Sequence, residues 1–138
     1  MTLFADTSAF VPLLVHTDVQ HEAVRDAFRR AIESGRRVVT TNYVLVETVA
    51  VLQNRIGLLP VRDFDTKILP LVDVVFVDAA THMRAVDRLL KVDRRRVSLV
   101  DVTSFEVMDA NGIADVLGLD ADFEGQGFRL VPKAPLLR

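Results

Sequence analysis

The sequence contains no cysteine. Disulfides therefore do not staple the chain, and no thiolate can bind a soft metal or attack a substrate. A reducing compartment suits such a protein. Long apolar runs are missing too, and no stretch approaches the roughly 20 residues that span a bilayer. The N-terminus lacks the basic segment and cleavage site of a signal peptide. A cytoplasmic protein with no membrane partner is expected. Charge of one sign is not in excess: the formal net charge is −2, so global electrostatics announce no nucleic-acid binder. Repeats, low-complexity tracts and linkers are also absent.

What is present suits one domain over residues 1–138. Half the residues are hydrophobic and 26% are charged, which is enough apolar material for a core. Local charge is less neutral than the total. Arg29-Arg30, Arg36-Arg37 and Arg94-Arg95-Arg96 are basic clusters, and Lys133 and Arg138 lie near the end. Such clusters are ordinarily solvated faces or helix ends.

The punctuation predicts strands alternating with helices. Strands are expected over 2–5, 38–41, 72–77, 113–117 and 128–131. Helices are expected over 8–15, over 19–33 capped by Asp18 and stopped by Gly35, and over 43–55 opened by Asn42 and ended by Gly57 and Pro60. Further helices are expected over 61–69, 79–91 and 101–110. This alternation argues for an α/β fold, a three-layer sandwich with a mainly parallel sheet. Ligands of such folds gather at the carboxyl ends of the strands.

Four acids sit oddly for solvent-facing residues. Asp6 ends the first strand in "LFADTSAF". Glu47 is embedded in "TTNYVLVETVAVL", where it is costly to bury without a partner. Asp101 follows an apolar run in "VSLVDVTSF". Asp120 follows the fourth strand in "GLDADFEGQGF", with Asp122 as a competitor. Each has a bland explanation: Asp6 and Asp101 can be helix caps worth about 1 kcal/mol each, Glu47 can reach solvent, and Asp120 can serve a turn. A parallel sheet, however, can bring all four to one edge. Clustered carboxylates repel one another and cannot all ionise without a cation. Hard divalent ions such as Mg²⁺ or Mn²⁺ suit oxygen ligands and can promote phosphodiester hydrolysis. Zinc is not expected, because His16, His21 and His82 have no zinc spacing.

The four quoted segments, in this order, resemble a PIN-domain ribonuclease, specifically the VapC-type toxin of toxin–antitoxin pairs. The resemblance implies a PIN-like α/β/α sandwich and Mg²⁺- or Mn²⁺-dependent RNA cleavage. It implies Asp6, Glu47, Asp101 and Asp120 as catalytic, metal-binding acids. Thr7 or Ser8 matches the hydroxyl that orients the first acid, and Ser104 is a further polar candidate. Arg94, Arg95 and Arg96 are the basic residues best placed by sequence to meet RNA. A homodimer and a small cognate antitoxin are implied as well. Gly118-Leu119 departs from the family pattern ahead of Asp120. Two rivals remain. An aspartyl phosphatase would want an acid two residues after Asp6, where Ser8 stands. A PIN-like module that only binds RNA or protein would have no use for four costly acids.

Overall fold

The computed structural model describes residues 1–133, so Arg138 lies outside the described residues. Five strands form one sheet: β1 (Thr2–Ala5), β2 (Arg37–Thr41), β3 (Asp73–Val75), β4 (Asp115–Leu117) and β5 (Arg129–Val131). Their spatial order is β3-β2-β1-β4-β5, and every pairing is parallel. The chain first builds outward from β1 to β3. It then crosses back to place β4 on the other side of β1. The strand order reverses between β1 and β4, which is where doubly wound sheets open a crevice at their carboxyl ends.

The helices are α1 (Thr7–Leu14), α2 (His21–Glu33), α3 (Asn42–Arg55), α4 (Leu58–Asp63), α5 (Ala79–Val92), α6 (Leu99–Ala110) and α7 (Asp122–Gly125). They cover the sheet to give the expected α/β/α sandwich. β1 is the most deeply placed strand: Leu3, Phe4 and Ala5 have no exposed surface. A strand buried on both faces reads as a continuous apolar run rather than an alternation. Phe10, Phe105 and Phe123 fill the layers above and below, with Phe105 and Phe123 meeting edge-on at 5.0 Å.

Several boundaries differ from the sequence expectation, each for a local reason. Helix α2 starts at His21 rather than 19. Asp18 does not cap it; its carboxylate accepts the Gln20 N–H at 2.8 Å and closes a turn before the helix. Pro60 does not end a helix. It stands in the first turn of α4, where a missing N–H costs nothing. The single helix expected over 61–69 is broken into the end of α4, a π turn (Phe64–Ile68) and a 3₁₀ turn (Leu69–Leu71). Burial of Phe64, packed edge-on against Phe10 at 4.9 Å, accompanies that break. Strand β3 stops at Val75, and the Val77 N–H leaves the ladder to donate to Asn42 Oδ1 at 2.8 Å. Helix α6 begins two residues early, at Leu99, because Ser98 rather than Asp101 is its N-cap. Among the described residues, no helix is long and apolar enough to cross a membrane.

Candidate active site

At the carboxyl end of the sheet, one cleft of about 440 Å³ is lined by Asp6, Glu47, Asp101 and Asp120. The strand–helix alternation puts them there. Asp6 directly follows β1, and Asp120 follows β4. Asp101 stands in the first turn of α6, and Glu47 in the second turn of α3.

Asp6 is only 3% exposed. Its Oδ2 accepts the Ser8 N–H at 3.1 Å, so it does cap α1. The same oxygen accepts the Ser8 hydroxyl at 2.7 Å. Capping thus explains one oxygen and not the other. Oδ1 is buried with no hydrogen-bond partner, which is a costly state for a carboxylate oxygen. The Asp6 pKa is raised from 3.8 to about 7, chiefly by burial and with repulsion from Asp101 and Glu47 adding to it, against the two Ser8 hydrogen bonds.

Asp101 also plays two parts. It completes a capping box, with Ser98 N–H donating to Asp101 Oδ2 and Asp101 N–H donating to Ser98 Oγ, both at 3.1 Å. Its Oδ1 makes no hydrogen bond among the described residues. Burial raises its pKa to about 6 in opposition to the Ser98 contacts, with Asp120 and Glu47 adding repulsion. Asp101, Asp120 and Asp122 can each offer an oxygen within 4.8 Å of the others. Asp120 and Asp122 therefore both stand beside Asp101, linked by the Asp122 N–H donating to Asp120 Oδ1 at 2.9 Å.

These features fit a hard divalent cation. The donors are all carboxylate oxygens, one buried oxygen lacks a partner, and burial and mutual repulsion make two of the acids resist ionisation. Mg²⁺ and Mn²⁺ meet that description equally.

The remaining sequence candidates divide. Ser8 binds Asp6 and also accepts the Leu119 N–H at 2.9 Å, so it ties the first acid to the β4 loop. Thr7 lines the cleft but does not orient Asp6. Its hydroxyl faces Thr48 Oγ1 at 3.1 Å and the Val44 carbonyl at 3.4 Å, which fastens α1 to α3. Ser104 is not among the cleft-lining residues, and its hydroxyl is spent within α6 on the Val100 carbonyl at 3.1 Å. The arginine triplet does not act as one patch. Arg94 lies 3.8 Å from Asp122, Arg96 lines the cleft, and Arg95 does neither. Sequence reading missed Arg55 and assigned Asp18 only to a helix cap, yet both line the cleft. The spacing Glu47–Val51–Arg55 was the available signal for Arg55, since i, i+4 and i+8 share a helix face.

A family model described as the PIN domain matches residues 3–128. The 23S rRNA-specific endonuclease VapC20 of Mycobacterium tuberculosis, in strains CDC 1551 / Oshkosh and ATCC 25618 / H37Rv, is 33% identical over 127 residues. That match covers 91% of this chain and 95% of the relative. The crystal structure of M. tuberculosis VapC20, described as a sarcin–ricin loop cleaving toxin, superposes with a TM-score of 0.80 over the same shares of both chains. FitAcB from Neisseria gonorrhoeae, at 17% identity, has a TM-score of 0.65 over 94% of this chain and 96% of its own, a likeness of fold.

Proposed function

The chain belongs to the PIN-domain family, and we propose that it is a VapC-type endoribonuclease that hydrolyses RNA with a divalent cation held by Asp6, Glu47, Asp101 and Asp120. One observation carries the reading: the partnerless buried Oδ1 of Asp6 in a cleft that also gathers Glu47, Asp101 and Asp120. The relative's activity on 23S rRNA supports an RNA substrate, and a structured ribosomal loop is the target we infer. Exposed loops present bases and phosphates that a cleft can hold, whereas duplex RNA hides them.

When bound, Mg²⁺ or Mn²⁺ supplies positive charge, polarises a phosphoryl oxygen and favours deprotonation of water. The chain supplies the frame. Ser8 holds the Asp6 carboxylate through Oδ2 and leaves Oδ1 without a hydrogen bond, the oxygen that Asp6 would offer to a cation. Ser98 does the same for Asp101. With pKa values raised to about 7 and about 6, Asp6 and Asp101 keep part of their protons near neutral pH, Asp6 the larger share, so cation uptake would be coupled to proton release. Among the described residues, no histidine or lysine lines the cleft. The hydrolytic reading takes water as the nucleophile, which a cation held by these acids would help to deprotonate. The expected ends are a 5′-phosphate and a 3′-hydroxyl.

A toxin of this kind implies a silencing partner and a cytoplasmic setting where RNA is met. We infer a small antitoxin with an apolar helix, together with a homodimer. Apolar surface supports such contacts: Leu45, Val49, Leu58, Val61 and Phe64 line a groove of about 410 Å³ between α3 and α4, and Val46 and Leu59 are exposed nearby.

The test is cleavage of an RNA hairpin by the purified protein with Mg²⁺, with Mn²⁺, and with chelator. Cleavage should need the cation and vanish in Asp6→Asn at unchanged fold. Wild-type cleavage by that variant, or undiminished cleavage in chelator, would sink the assignment.

A further inference from the structure

The cleft that gathers the acids also holds two arginines, Arg96 of the expected RNA-facing triplet and Arg55, to which the sequence assigned no task. Arg55 and Arg96 both line it, and among the described residues neither forms an ion pair. That separation matters. Five carboxylates line the same cleft, Asp18 among them, and would capture a flexible guanidinium if geometry allowed it, yet both side chains stay uncommitted. Resting on the nuclease reading, we propose that Arg55 and Arg96 are the positioning residues of the substrate backbone, gripping RNA phosphates in the cleft of the acids.

Arg96 stands two residues before Ser98, the cap that carries Asp101. It is the member of its triplet that faces the cleft, for Arg94 lies beside Asp122. Arg55 lines the same cleft from a different element, the last turn of α3. It lies eight residues beyond Glu47 on α3, which is about 12 Å along the helix axis at 1.5 Å per residue. Val51 lies between them on the same helix face, and Val11 and Pro12 also line the cleft. A strand with one phosphate at the acids would reach Arg55 within a few nucleotides. Guanidinium suits both posts, because its planar fork binds two phosphate oxygens at once. An acidic cleft repels a polyanion, so two unpaired cations within it are what lets RNA approach.

The two sites should behave differently. Arg96 is beside the reacting phosphate, so Arg96→Ala should lower kcat and raise KM. Arg55 is remote, so Arg55→Ala should raise KM with kcat nearly unchanged.

The test uses a fluorescein-labelled RNA hairpin and the full chain carrying Asp6→Asn, with anisotropy followed through a KCl series. Adding Arg55→Ala or Arg96→Ala should each weaken binding and flatten the plot of log K against log salt by about 0.7–0.9, the loss of one phosphate contact. Arg55→Lys and Arg96→Lys keep the charge and should keep the slope. Alanine variants with the parent's affinity and slope would overturn the proposal. If that happens while the wild type still cleaves, the nuclease reading stands alone. If the slopes fall as stated but the wild type never cleaves with Mg²⁺ or Mn²⁺, the cleft binds RNA through these arginines and the nuclease reading fails instead. Variants that lose binding to a protein partner but not to the hairpin would also overturn it.

Discussion

Ser8 and Asp6 are joined twice, by the Ser8 hydroxyl at 2.7 Å and the Ser8 N–H at 3.1 Å, both on Asp6 Oδ2. The hydroxyl also accepts the Leu119 N–H. One side chain therefore fixes the first acid and the loop leading to Asp120. Ser8→Ala should weaken Mg²⁺ affinity about 10–100-fold, the usual cost of losing a hydrogen bond behind a ligand. The loss should be larger at pH 6 than at pH 8, because removing a donor to the carboxylate raises the Asp6 pKa further. Calorimetric Mg²⁺ titration at the two pH values checks this. Equal affinity for variant and wild type at pH 6 would remove Ser8 from the design.

Gly118 is tied to the same junction. A Cβ there would meet Ser8 Oγ at 3.0 Å and Asp6 Cβ at 3.4 Å. The departure from the family pattern before Asp120 thus has a local physical reason, close approach of the backbone to the first acid. Gly118→Ala should reduce RNA cleavage by pushing the Ser8 hydroxyl off Asp6. In a Ser8→Ala background the same change should cost much less, since the crowded oxygen is gone. A double-mutant cycle on cleavage rate reads the coupling. Strict additivity would place the effect of Gly118 elsewhere.

Asp115 begins β4 at the other end of the sheet. Arg36 Nη2 donates to its Oδ2 at 2.5 Å and Arg129 Nε to its Oδ1 at 2.8 Å. Burial would raise its pKa, but the two arginines outweigh that and hold it below the ordinary 3.8. Its stabilising contribution is therefore present above 3.8 and is lost as pH falls through the depressed value. Asp115→Asn should cost about 1–3 kcal/mol in urea unfolding, less than a fully buried pair because Arg129 is largely exposed. Cleavage per folded molecule should not change. A variant as stable as wild type would show that the pair is ornamental.

The parts of this site written in contiguous residues were legible. "LFADTSAF" encodes a buried strand, a cap and a hydroxyl together, and strand–helix alternation was enough to predict the parallel sheet. Parts that depend on contacts distant in sequence were not. Thr7 and Ser8 are equivalent candidates by position, and only the packing of α1 on α3 sends the Thr7 hydroxyl to Thr48. Asp120 and Asp122 could not be ranked because a tight turn brings both to Asp101. The break at Phe64 is a tertiary choice too: a helical pattern yields where a large ring gains a core partner in Phe10.

Asp6 and Asp101 make stability itself depend on pH and cation. Both folded pKa values, about 7 and about 6, lie above the ordinary 3.8. Their favourable contribution is thus complete below 3.8 and is lost as pH rises through those values, because the cleft disfavours the charged forms. Asp6→Asn removes one such penalty. In chelator, the stability of that variant relative to wild type should grow by about 2–3 kcal/mol between pH 5 and pH 8, roughly two pH units at 1.36 kcal/mol each. Saturating Mg²⁺ should cancel or reverse the gain, since only the wild type keeps the full set of acids for the ion. Urea unfolding of both proteins at the two pH values, with and without Mg²⁺, measures all of these differences. A stability difference independent of pH in chelator would mean that Asp6 is already ionised in the free protein, and the strain assigned to its buried oxygen would have to be abandoned.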